Sequence, residues 1–269
     1  MSRFYIFLIY ACIQPISGFG QDGFIKGAPA LAYWETGSGK EIVIVLHGGP
    51  AAAHDYLRPE WDELGKESRV FYYDQRGCGK SDSAYCYSWR EHVSDLKRLI
   101  NQIAKGKKVV LAGSSWGSIL ALLYTYSYPK DVKGVILSGT VPWHGLGFPE
   151  QDCTNYIPHD GTVRGKLQHE FIITGNKKFI ELRSFEFSYT LNSLNDGPSL
   201  KQLQEINIPV LVFGGSGSSC EPGREASSQF AGILPRLEIF TIAESCHDPW
   251  YTHPQVFFEK CKEFIRTKI

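Results

Sequence analysis

The chain has no excess of charge of either sign. Its 269 residues carry 28 Lys plus Arg and 28 Asp plus Glu, and no acidic or basic run concentrates either. A surface that tracks nucleic acid or an anionic membrane needs such a concentration, so neither is expected as a partner. Metal-binding spacings are also missing. Among 7 Cys and 8 His there is no C-x-x-C and no H-E-x-x-H, and no metal or other cofactor is expected. No internal repeat is visible.

The apolar run near the start, Phe4 to Ile13, is too short to span a bilayer as a helix. One early Arg precedes it, and Pro15, Ser17, Gly18 and Gly20 follow it. That pattern is expected of a secretory signal over residues 1–21, cut near Gly20 to Asp22. The mature protein would then be secreted or periplasmic, with no stable membrane insertion. A buried N-terminal strand, or a lipoprotein anchored at Cys12, are the alternatives. Six cysteines lie beyond the signal: Cys78, Cys86, Cys153, Cys220, Cys246 and Cys261. In an exported chain they permit disulfides without fixing the pairing; in a reduced one they are small buried thiols.

What is present is an ordinary soluble composition, 43% hydrophobic and 21% charged, enough for a sizeable core. Near-continuous apolar runs occur at 30–34, 41–49, 69–77, 107–115, 132–140, 208–215 and 236–244. Such runs mark strands buried on both faces, as in a parallel sheet. Helical patterns alternate with them. Residues 88–106 carry one apolar stripe and stop at Gly106; 118–129 end at a proline; 252–268 have Thr252 as a candidate cap and Pro254 near the start. The alternation predicts an α/β fold with a mostly parallel, doubly wound sheet. Residues 142–205 break the rhythm and read as a short helical cap inserted over the sheet. The core is then 22–141 and 206–269. In open α/β sheets ligands bind outside the carboxyl ends of the strands, so a cap there would roof the site.

GSSWG (113–117) fits G-x-S-x-G. A surface serine in a turn would also fit five residues, but a strand precedes this one and a helix follows. The glycines allow a strained turn that lifts Ser115 above the sheet edge, facing a helix N-terminus. HGGP (47–50) follows the earlier long strand. The N–H of Gly49, with that of Trp116, can form an oxyanion hole; His47 supports the loop. His247, in ESCHDPW, follows the last strand. It is the one histidine that falls at a carboxyl-end strand tip in the order serine, acid, histidine.

With DQRGCGKS (74–81), these motifs resemble an α/β-hydrolase, specifically the proline iminopeptidase branch. The resemblance covers residues 28–140 and, less closely, the last sixty. It implies a nucleophilic serine, a histidine base and an acyl-enzyme, with Asp74 and Arg76 bracing the loops. It also shows two departures. The cap is shorter than the family's, where acidic residues hold the substrate amino group; Glu170, Glu181 and Glu186 are the candidates here. The family acid, in a G-x-x-D-x-x-x-P loop, is missing. Ser218 or Gly217 takes its place, and the strand over 132–140 ends in Ser138, Gly139 and Thr140. Glu221 is the acid in that loop, and Asp152 is more remote. Three readings stay open: Glu221 substitutes, another group or water orients His247, or catalysis is lost. A disulfide between Cys220 and Cys246 would bring Glu221 towards His247.

The expected function is therefore a serine hydrolase of a small ester, amide or short peptide, through Ser115, His247 and Glu221. The alternative is a catalytically impaired hydrolase-fold protein that binds a small ligand.

Overall fold

Strands with apolar residues on both sides need cover on both faces. The computed structural model describes residues 21–140, 143, 186, 189–215, 227–245 and 247–269. Its strands are β1 (Gly23–Ile25), β2 (Leu31–Thr36), β3 (Glu41–Leu46), β4 (Ser68–Tyr73), β5 (Val109–Ser114), β6 (Val132–Ser138), β7 (Val210–Gly215) and β8 (Leu237–Ile242). They form one sheet in the order β1-β2-β4-β3-β5-β6-β7-β8. The pairs β1–β2 and β2–β4 are antiparallel, and every later neighbour pair is parallel. The mostly parallel, doubly wound architecture is thus the one expected. All seven anticipated strands are there; β1, three residues long, was not anticipated.

The two faces sort by alternate residues. Ile42, Ile44 and Leu46 of β3 pack with helices α1 (Trp89–Ala104) and α2 (Trp116–Ser127). Val43 and Val45 pack with the 3₁₀ turn Glu60–Lys66 and the C-terminal helix. Helix α1 begins at Ser88, whose hydroxyl accepts the Glu91 N–H at 3.4 Å. It ends at Ala104, two residues before the expected Gly106, because Lys105 already takes the left-handed conformation at φ 49°. Helix α2 is buried on all sides from Trp116 to Thr125, which is why its sequence shows no polar face.

The C-terminal segment departs from expectation. It is a single turn, α3 (Pro249–Thr252), followed by α4 (Pro254–Lys268). The cap position of α4 is His253, not Thr252. Thr252 instead donates from its hydroxyl to the Asp248 carbonyl at 3.2 Å. Pro254 has no N–H to give and disfavours helical backbone at the residue before it, so the helix breaks there.

Residues 1–20, with Cys12, lie outside the described residues, as do most of the 142–205 insertion and the acid loop. Asp152, Glu170, Glu181, Glu221, Cys153, Cys220 and Cys246 fall in those parts. Cys78, Cys86 and Cys261 form no disulfide. No helix among the described residues is long and apolar enough to cross a membrane.

A buried ion pair ties the DQRG segment to α1. Arg76 Nε donates to Asp95 Oδ2 at 2.8 Å, with both side chains at most 3% exposed. Asp95 also receives Arg98 at 2.7 Å. Removing one partner of a buried pair strands the other charge. Asp95→Ala is expected to cost about 3 kcal/mol or more, read as a lower urea midpoint of unfolding.

Candidate active site

Ser115 occupies the one-residue link between β5 and α2, with φ 57° and ψ −122°. A non-glycine residue in such a conformation carries strain on the order of 1–3 kcal/mol. Two glycines make the turn sterically possible. A Cβ on Gly113 would lie 2.3 Å from the Gly117 carbonyl carbon, and one on Gly117 would lie 2.1 Å from the Leu46 carbonyl oxygen. Neither position has room for a side chain. The Ser115 N–H donates to the Ser138 carbonyl at 2.9 Å. The Ser118 hydroxyl sits 2.9 Å from both the Gly113 and Ser138 carbonyls. The elbow is therefore pinned to the end of β6.

His247 comes to the same corner. Gly139, next after β6, has φ 55°, and a Cβ there would lie 2.3 Å from the His247 carbonyl and 3.3 Å from its ring Cε1. Ser115 and His247 thus flank residues 138–139 from two directions. Among the described residues no hydrogen bond yet joins the Ser115 hydroxyl to the His247 ring.

The glycine loop is held from below by His47 and Gln75. The His47 ring is fully buried. Its Nε2 accepts the Gln75 backbone N–H at 2.9 Å, so in the neutral ring Nδ1 carries the proton and donates to the Gly48 carbonyl, also at 2.9 Å. The Gln75 carboxamide donates to the His47 carbonyl and accepts the Trp116 indole N–H, each at 2.8 Å. One side chain thereby ties the glycine loop to the residue after the nucleophile. The Gly48 N–H is taken by the Tyr56 hydroxyl at 2.8 Å. Among the described residues no acceptor takes the N–H groups of Gly49 or Trp116.

The expected bracing by Asp74 and Arg76 is visible as contacts. Asp74 Oδ1 meets His54 Nδ1 at 2.9 Å and Oδ2 accepts the Lys80 N–H at 2.7 Å. Burial alone would raise the Asp74 carboxyl; the hydrogen bond and charge of His54 outweigh it and hold it below the usual range. On the other flank, His92 lies edge-on to Trp116 at 5.5 Å. Burial pushes His92 well below its ordinary value, so it is neutral. Thr190 Oγ1 is 3.4 Å from its Nε2, and the Thr190 hydroxyl donates to the carbonyl of Glu186. Of the three cap glutamates, Glu186 is the one described, and it is 4% exposed. Glu221 and Asp152 lie outside the described residues. At the end of β6 the buried side chains are Ser138 and Thr140. No group of His, Cys, Asp or Glu that could hold a metal is found among the described residues.

Gln75, Tyr56 and His92 were not singled out in the sequence. Gln75 sits inside the DQRGCGKS string, which was the available signal. Tyr56 and His92 carry none.

A strained serine between a central parallel strand and a buried helix, beside a glycine loop, defines an α/β-hydrolase arrangement. Comparison with known proteins agrees. Residues 41–160 match the family described as the alpha/beta hydrolase fold. A proline iminopeptidase of Lactobacillus delbrueckii subsp. lactis is 36% identical over 223 residues, covering 67% of this chain and 75% of that one. A proline iminopeptidase of Saccharolobus solfataricus is 27% identical, covering 87% of each. Among solved structures, an esterase from Exiguobacterium antarcticum superposes with a TM-score of 0.67 at 20% identity, covering 91% of this chain and 99% of that one; that likeness concerns the fold. The chain belongs to the α/β-hydrolases, in their proline iminopeptidase-like branch, and is an enzyme of the hydrolase class.

The close fit at Gly139 gives a test. Gly139→Ala adds a methyl where the His247 carbonyl stands. It is expected to slow labelling by a fluorophosphonate at least tenfold, since about 1 Å of misplacement costs on the order of 10²-fold. Circular dichroism should still report a folded chain.

Proposed function

We propose that the protein is a serine hydrolase that cleaves a small ester, amide or short peptide through an acyl-enzyme on Ser115. The observation that carries this is the backbone of Ser115, strained at the tip of β5 and followed at once by the N-terminus of α2. A surface serine has no need of that conformation.

In the proposed cycle the Ser115 hydroxyl attacks the acyl carbon while the His247 imidazole takes its proton. The carbonyl oxygen becomes an oxyanion and accepts the N–H groups of Gly49 and Trp116. The bond to the leaving alcohol or amine then breaks, and that group takes the proton from His247. Water repeats the attack on the acyl-enzyme, and the free acid leaves. Engagement of Gly48 by Tyr56 supports the choice of Gly49 as the loop donor. Glu221, in the loop after β7, is assigned as the acid that orients His247. The hydroxyl and glycine residues that end β6 offer no carboxylate, which supports an acid from the segment after β7. Glu186 supports an aminopeptidase-like preference. A buried carboxylate, borne by the segment that packs Thr190 on His92, suits a substrate ammonium.

A fluorophosphonate probe tests the reading. Wild type is expected to label and Ser115→Ala is not. Glu221→Gln should label at least ~10²-fold more slowly, because amide replacement of the triad acid costs about 10⁴ in kcat in a serine protease. A folded wild-type protein that stays unlabelled would contradict the proposal. An unchanged rate in Glu221→Gln would remove Glu221 alone.

A further inference from the structure

Tyr56 stands beside the nucleophile without belonging to any motif. It enters from the 3₁₀ turn His54–Leu57. Its hydroxyl accepts the Gly48 N–H at 2.8 Å. A point one bond above the Gly48 Cα is 2.9 Å from that hydroxyl and 2.9 Å from the Ser115 Cβ. The phenol oxygen and the nucleophile side chain therefore border the same small space over the glycine loop. The Tyr56 ring also packs against Trp250, with centroids 5.9 Å apart. Trp250 lies three residues after His247 in the chain. One side chain so touches both the glycine loop and the histidine segment. It remains 39% exposed, as expected for a wall that faces a substrate.

The chemistry follows from what the hydroxyl already does. Accepting the Gly48 N–H uses an oxygen lone pair, and the Ser114 hydroxyl is a second neighbour of the same oxygen; the O–H can still turn to donate to a substrate oxygen. The ring is partly exposed but its hydroxyl end is desolvated, which raises the phenol above its ordinary value, and it keeps its proton at neutral pH. It is then a fixed dipole near the acyl carbon that Ser115 would attack.

We propose that the Tyr56 hydroxyl is a third donor to the oxyanion, beside the N–H groups of Gly49 and Trp116. The proposal rests on the reading of Ser115 as nucleophile. No bond to hydrogen breaks in this role. The phenol keeps its proton and donates a hydrogen bond that strengthens as charge develops on the substrate oxygen. Its held position means little reorganisation is needed when the charge appears.

Tyr56→Phe keeps the ring against Trp250 and removes the hydroxyl. On p-nitrophenyl acetate the variant is expected to lose about 10- to 100-fold in kcat, below the cost of a principal donor, with KM within about twofold. Inhibition by butylboronic acid, which forms a tetrahedral adduct with a serine, should weaken by the same factor. The melting temperature should fall by a few degrees at most, since the Gly48 N–H loses its acceptor. Full kcat in Tyr56→Phe, beside an active wild type, would overturn this proposal alone. So would a loss of kcat with boronate affinity intact, which is the mark of a role confined to holding Gly48. A wild type with neither turnover nor fluorophosphonate labelling would overturn the hydrolase reading and this proposal with it.

Discussion

The closeness of α2 to the strands it leaves governs the site. Gly117 lies against the Leu46 carbonyl and Gly113 against Gly117, with no space for a Cβ at either place. That contact sets the strained backbone at Ser115. The first turn of α2 is thereby packed against the end of β3, where the glycine loop begins. As a consequence, Gly117 is set against the His47 carbonyl, and Ser115 against Gly48. Strain at Ser115 is sustained by the burial of α2 on every side. A helix with ten buried residues in succession cannot swing away to relieve one residue.

A polar frame built from three consecutive residues fixes the surrounding loops. Asp74 reaches His54, Gln75 reaches both His47 and Trp116, and Arg76 reaches Asp95 on α1. Each partner lies on a different segment. The side chains that follow β4 fan out, and one short string braces four segments. These groups are buried, so each bond is strong only if complete, and each lost partner leaves an expensive orphan. The frame holds the glycine loop, and through the Cys86 carbonyl, which accepts from Arg76, it also reaches the residue that meets Tyr189.

Much of this was legible in the sequence, for local reasons. The strands show because both their faces are buried, and GSSWG shows because its glycine spacing, strand and helix are contiguous. Thr252 was misread as a cap because its preference for that position is real but Pro254 moves the break by one residue. β1 went unread because three residues carry no period. Gln75 and Tyr56 were invisible for another reason. Gln75 meets Trp116, 41 residues away, through the sheet order, and Tyr56 meets Gly48, 8 residues away, through the fold of the connection between β3 and β4. His92 looked like any helical histidine, and its contact with Trp116 is likewise tertiary. The acid is the least legible element, because the family carboxylate is absent and Glu221 follows no fixed spacing.

The central claim is a covalent intermediate on Ser115, and intact-protein mass spectrometry during turnover tests it most directly. Rapid mixing with p-nitrophenyl acetate, followed by acid quench, should give a chromophore burst of about one equivalent per protein. The quenched protein should carry one acetyl group, mapped by peptide digestion to Ser115. Turnover with no burst and no adduct at Ser115 would contradict the account.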